Sequence, residues 1–257
     1  MALGLPPPRR RWERPRKCAC NTQELAAKLN MKCPVDHSRL RKDLPPLTPR
    51  LSRLPVDPER GYPVPWFVPW INGKPEFRLG DSGKWDRAVK ENLCWVCGEQ
   101  MGAYKAFVIG PMCSVNRISG DPPAHLECAE WSVRGCPFLT RPNMVRREDE
   151  LTDSMKKNVG GVMIERNPGV MLIWVTKGYR LVWDGRGKFI FSLGEPDSLS
   201  WWTEGRRATR EEVVASIDSG LPLLREMCAK ESTPAKQEQA RKALEEAVTR
   251  AMPLVPA

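Results

Sequence analysis

Two pairs of potential metal ligands constrain this chain more than any other feature of it. Cys94-Trp95-Val96-Cys97-Gly98 and His125-Leu126-Glu127-Cys128 each hold two donors with two residues between them, and 27 residues separate the pairs. A tetrahedral zinc ion needs four soft or borderline ligands at one point. A Cys-x-x-Cys turn closed by Gly98 supplies two of them, because glycine readily takes a positive φ. His125 and Cys128 are three apart, so a helix places both on one face. The implied shape is a treble clef: a knuckle, a β-hairpin, then a helix whose first turns carry the second pair. Residues 103–109 read as a strand, Gly110-Pro111 as a break and residues 113–118 as the return strand. The helix is expected over about 124–134, opened by Asp121-Pro122-Pro123 and stopped by Gly135. Cys113 and Cys136 are near enough in sequence to replace His125, so the fourth ligand stays open between them.

Flanking a short capped helix over about 21–30, Cys18, Cys20, Cys33 and His37 form a second arrangement of possible ligands. Cys-x-Cys is an uncommon knuckle, and a segment this short would depend on the metal to fold. Surface thiols beside a frayed helix are the competing reading. One structural zinc ion per chain is therefore the expectation.

The longest apolar run, residues 170–175, is far too short to span a bilayer. Arg9, Arg10 and Arg11 follow only a few apolar residues, which is not the pattern of a secretory signal. The cytoplasm is the expected compartment, and there nine cysteines point to metal or free thiols rather than disulfides. Net charge is +10 but unevenly placed: residues 1–60 hold 14 Lys and Arg against 6 Asp and Glu. The remainder holds 27 against 25 and is nearly neutral. Nucleic acid is one candidate partner for that basic arm, with Arg9, Arg10, Arg11, Arg117 and Arg134 as candidate contacts. A solvated tail is the plainer reading.

An α+β architecture follows in four parts: a basic, proline-rich arm and linker over 1–60, a zinc domain over 61–142, a charged linker over 143–160, and an α+β domain over 161–257. Prolines at 45, 46, 49, 55, 58, 63, 65 and 69 oppose helix, so this run reads as a strap anchored by Trp66, Phe67 and Trp70. Asn72-Gly73 marks a two-residue hairpin turn, and Asp81-Ser82 caps a helix over 83–92. Beyond the linker, 162–166 with 170–176 and 179–183 with 188–193 read as hairpins, and 200–203 as an edge strand. A single small antiparallel sheet is the economical reading. Thr209-Arg210-Glu211-Glu212 is a capping box, Gly220 is expected to end that helix, and a second spans 221–230. Pro234 opens the last helix, to about Ala251.

With Cys94-Trp95-Val96-Cys97-Gly98, Ile109-Gly110-Pro111-Met112-Cys113, Ala124-His125-Leu126-Glu127-Cys128-Ala129 and Cys136-Pro137-Phe138-Leu139 laid out, the chain resembles a family of uncharacterised proteins encoded by bacteria, bacteriophages and prophages. The resemblance runs from about Gly61 to Leu224 and implies a phage or prophage setting, with no activity attached. The first forty residues lie outside it.

No nucleophile turn, phosphate loop or dinucleotide fingerprint occurs. The treble clef is shared with His-Asn-His nucleases, which need a histidine base outside the structural zinc site. Were Cys113 or Cys136 the fourth ligand, His125 would be free for that role, with Asn116 nearby. Otherwise a non-catalytic module remains, in which zinc holds a small domain that binds a protein partner, or nucleic acid through the arm and clef helix.

Overall fold

From Val35 to Pro69 the chain has little regular structure, as its prolines require, apart from a single 3-10 turn at Leu51–Arg53. The computed structural model describes residues 35–142, 144–145, 167–185 and 187–257, which all belong to the unit Val35–Ala257. The helix expected over 21–30 and the strand over 162–166 lie outside the described residues, as does nearly all of the 143–160 linker.

Strands β1 (Trp70–Ile71) and β2 (Lys74–Pro75) pair across Asn72 and Gly73, whose φ of 50° and 77° give the twist a two-residue hairpin needs. Helix α1 (Ser82–Lys90) starts at Asp81, whose carboxylate accepts from the Lys84 amide at 3.0 Å. Then follow β3 (Lys105–Ile109), α2 (Pro111–Asn116), β4 (Ile118–Ser119), α3 (Leu126–Gly135) and the one-turn α4 (Pro137–Thr140). Most of the expected return strand over 113–118 is helical instead. Pro111 sits in the first turn of α2, where its missing amide costs nothing, and Met112 and Val115 turn into the core. The returning arm of the hairpin is reduced to a single bridge between Ala106 and Ala124.

The remaining strands are β5 (Met171–Thr176), β6 (Tyr179–Trp183), β7 (Phe189–Leu193), β8 (Ser198–Thr203) and β9 (Arg206–Arg207). They form two larger antiparallel sheets, ordered β3-β5-β8-β9 and β4-β7-β6, where one was expected. The strand expected at an edge, β8, is flanked on both sides, by β5 and β9. Helices α5 (Arg210–Ala229) and α6 (Pro234–Ala251) complete the chain. The Thr209 capping box forms as expected. Gly220 does not end α5, however. Val213, Ile217 and Leu221 keep one face buried across it, and Gly220 gives Met112 room: a Cβ there would meet the Met112 side chain at 2.7–2.9 Å.

All six residues of β5 are buried, so its apolar run is a strand covered on both faces. Leu172 and Trp174 face the largest core, with Phe107, Ile109, Phe191, Trp201, Val213 and Ile217. Met171, Ile173 and Val175 face the other way, against Ala129 and Val133 of α3. The structure thereby joins what the sequence suggested were two domains. β3 pairs with β5 over five residues across the expected linker, so the helix bearing the second ligand pair lies on one face of the sheet and α5 and α6 on the other.

Candidate metal centre

Each pair of donors is placed by backbone that the local sequence dictates. Leu93 bridges Gln100, the Cys94 amide donates to the Glu99 carbonyl at 2.8 Å, and the Gly98 amide donates to the Cys94 carbonyl at 2.8 Å. This closes the knuckle around Cys94 and Cys97. Gly98 has φ +73° and faces the Trp66 indole so closely that a Cβ would stand 2.6 Å from the ring. No other residue meets both conditions without strain. On the opposite side His125 caps α3 and Cys128 lies in its first turn. The Trp95 amide donates to the Pro123 carbonyl at 3.0 Å, tying the knuckle to the lead-in of that helix.

The donor atoms of Cys94, Cys97, His125 and Cys128 all lie within 4.8 Å of one another. Cys94 and Cys128 are buried, the other two half-buried. His125 Nδ1 stands 3.3 Å from Cys97 Sγ and 4.0 Å from Cys128 Sγ. Around a tetrahedral zinc ion, neighbouring sulfur and nitrogen donors are about 3.5 Å apart and two sulfurs about 3.8 Å. Nε2 is 3.1 Å from the Gln100 carbonyl, so it carries the ring proton and leaves Nδ1 as a lone pair aimed at the sulfurs. Amides of Cys97 and His125 approach Cys94 Sγ at 3.5 and 3.3 Å, as suits a thiolate. Hydrogen bonds from Cys128 and Cys97 hold the Cys94 thiol well below its ordinary range, while the same contact with Cys94 drives Cys128 up. The hydrogen bond to Cys94 raises His125. Four groups competing for protons at one point are a donor set that a dication satisfies by displacing those protons. The residues fit one zinc ion.

Cys113 and Cys136 are not in this group. Cys113, on α2, packs against the largest core, and burial pushes its thiol up to about 11. Burial likewise raises Cys136, at the start of α4. Of the second candidate set, Cys18, Cys20 and Cys33 lie outside the described residues, and His37 is exposed. Arg9, Arg10 and Arg11 also lie outside them. Arg117 is paired with Glu195, and Arg134 is exposed on α3 with its backbone against Gly205 in the β8–β9 turn. The structure does not bring these two arginines onto one helix face.

The strap is more closely involved than its prolines suggest. Leu51 is fully buried, and Leu44, Leu47 and Leu54 pack with it against Cys94, Cys128 and Trp131. Trp131 Nε1 donates to the Pro45 carbonyl at 3.2 Å. Arg50 binds Glu127 at 2.6 Å and also pairs with Glu99, bridging α3 and the knuckle from outside, and Arg53 adds a second contact to Glu99. Leucines at 44, 47, 51 and 54 recur at three- and four-residue steps, the one sequence signal that pointed to this burial. Nothing local in the sequence marks Arg50 as their companion.

Comparison with protein-family models, curated proteins and solved structures finds no match to any of them. Among the described residues, no helix is long and apolar enough to cross a membrane.

Proposed function

We propose that Cys94, Cys97, His125 and Cys128 bind one structural Zn²⁺ and that the chain is a non-catalytic interaction protein of phage or prophage type. The observation that carries the zinc reading is the convergence of three sulfurs and one lone-pair nitrogen within 4.8 Å, two donors from the knuckle and two from the start of α3. The order of knuckle, strand β3 and ligand-bearing helix α3 is that of a treble clef with its return arm shortened. Zinc there ties the knuckle and strap to a helix already packed on the sheet.

Two features argue against a nuclease. Both ring nitrogens of His125 have partners, and Cys113 and Cys136 stand apart from the group, so neither frees His125 to act as a base. A protein partner is favoured by the β6–β7 hairpin tip, where Trp183, Phe189 and Leu181 are 57%, 49% and 39% exposed on one face. Nucleic acid bound through the arm is the second reading, carried by the excess of basic residues over 1–60.

Metal analysis of purified protein tests the first statement: one equivalent of zinc, released by chelation with loss of thermal stability. A metal-free chain with unchanged melting would end it. A second equivalent would bring back Cys18, Cys20, Cys33 and His37. Titration with random-sequence DNA separates the partners, since each neutralised phosphate adds about 0.9 to the slope of log affinity against log salt. Absence of binding at low salt leaves the protein partner.

A further inference from the structure

A second polar site lies at the seam of the two larger sheets. Here β5 leaves one sheet to become β6 of the other, and β7 returns to become β8. The crossing is tight: the Gly194 amide donates to the Gly178 carbonyl at 3.0 Å, and a Cβ on Gly194 would stand 2.6 Å from that oxygen. Beside this crossing opens a cavity of about 990 Å³, into which α2, β6, the two crossing loops and the end of α6 all contribute.

Its charge is unbalanced. Arg117, Lys177, Arg180 and Arg250 line it, against Glu195 and Asp197. Each carboxylate already has a cation: Arg117 binds Glu195 at 2.5 Å and Lys177 approaches Asp197 at 3.3 Å. Among the described residues, the side chains of Arg180 and Arg250 form no ion pair and no hydrogen bond. An arginine at a helix end is ordinary, and Arg250 alone would mean little. Two uncompensated arginines from different elements in one concavity, with Asn116 and Ser192 also in its lining, are a different matter.

Arg117, which ends α2 as its C-cap, is held in the cleft wall. Its backbone is left-handed, φ 53° and ψ 47°, a conformation that costs a non-glycine residue about 1–2 kcal/mol. The Leu193 amide, donating to the Arg117 carbonyl at 2.8 Å, holds it there, and its guanidinium lies 5.6 Å from the centre of the buried Trp174 ring. The arginine is thereby fixed in the cleft wall.

We propose that this cleft binds the phosphate group of a small phosphorylated ligand, a phosphate monoester of roughly nucleotide size. A monoester carries about −1.5 to −2 charge at pH 7, which matches the two unpaired arginines. Planar guanidinium groups bind its oxygens in bidentate fashion. Ligand sites commonly span about 300–1,000 Å³, so the cavity admits a body attached to the phosphate.

The test is calorimetric titration of the full chain with inorganic phosphate and with adenosine monophosphate, at low and moderate salt. Saturable binding is expected, tighter for the nucleotide, and Arg180→Ala and Arg250→Ala should each weaken it about tenfold. Both side chains are exposed, so these variants should melt with the parent protein. Lys242→Ala, an exposed cation of α6 outside the cleft, should bind like the parent. No saturable binding at millimolar ligand would overturn the proposal, as would binding unchanged in the Arg180→Ala, Arg250→Ala double variant. Single-stranded DNA that binds through these arginines, where neither monophosphate does, would also overturn it and assign the cleft to nucleic acid.

Discussion

The core around the metal centre and the core between sheet and long helices are built from different materials. In the larger one, Leu172, Trp174, Phe191, Trp201, Val213 and Ile217 sit on strands and on α5, where ladders and helical turns satisfy the backbone. In the smaller one, Leu51, Leu54, Cys94, Val96, Met101 and Ala124 come mostly from turns and irregular chain, with α3 adding Cys128 and Trp131. Its polar backbone is satisfied one group at a time, as where the Trp66 amide meets the Val96 carbonyl at 2.7 Å and the Met101 amide the Asn92 carbonyl at 3.0 Å. Irregular backbone of this kind gains little cooperativity from its own hydrogen bonds. A metal ion held by Cys94, Cys97, His125 and Cys128 would supply the cross-link instead.

Breaking the centre is therefore the largest expected effect. Structural zinc contributes on the order of 10 kcal/mol to small metal-dependent folds. Cys94→Ser, Cys97→Ser and Cys128→Ser should each abolish zinc binding. Amide exchange should rise through residues 44–54 and 93–101, while β5 and β8 stay protected. Equal exposure of both regions would show that the two cores are one cooperative unit. His125→Ala is the sharper form, because retained zinc would move the fourth place to a residue outside the group.

Next comes the other core. Trp174→Ala removes a fully buried ring and the hydrogen bond from its Nε1 to the Gly194 carbonyl at 3.0 Å. A loss of about 3–5 kcal/mol by urea unfolding is expected, with zinc content unchanged. Leu51→Ala should cost about 2–4 kcal/mol and act on the strap side, speeding zinc loss to a chelator. Zinc release at the parent rate would separate the strap from the metal centre.

The smallest effects lie at the surface. Glu212 is held down to about 2 by Arg206 and by the Thr209 amide. Its folded pKa lies below the unfolded value near 4.5, so its contribution is full above that pH and fades as pH falls toward 2. Glu212→Gln should cost about 0.5–1 kcal/mol at neutral pH, and the gap to the parent should close in acid. Cys228→Ser should change stability by less than about 0.5 kcal/mol, since that thiol is no part of the donor group.

The donor pairs were legible because a metal site is written in residue type and spacing. Asp81, Thr209 and Pro234 marked helix starts for a similar reason: caps are local chemistry. Residues 113–118 were misread because β-branched and apolar residues fit a strand or a buried helix equally well, and only Pro111 in the first turn decides between them. Gly220 looked like a stop, yet its role is to admit Met112, a contact 108 residues away that no local pattern records. β5 reads from sequence as the second strand of a hairpin with 162–166, and its unbroken apolar run suits a strand with two covered faces. The charged stretch over 143–160 masked that sharing. The cleft cations could not be assembled from sequence, since Arg117, Arg180 and Arg250 come from the end of α2, from β6 and from α6 and line one cavity only in the folded chain.

Because β5 is covered on both faces, the ligand-bearing helix has no finished surface to rest on until residue 176 has been made. A chain stopped at Pro142 would hold all four donors, yet it would leave β3 as an unpaired edge and the Ala129 and Val133 side of α3 open to water. The metal centre is thus not a portable cassette. Excised or grafted onto another scaffold it would aggregate through that edge, and on the ribosome it stays unfinished until a strand more than forty residues beyond Cys128 emerges.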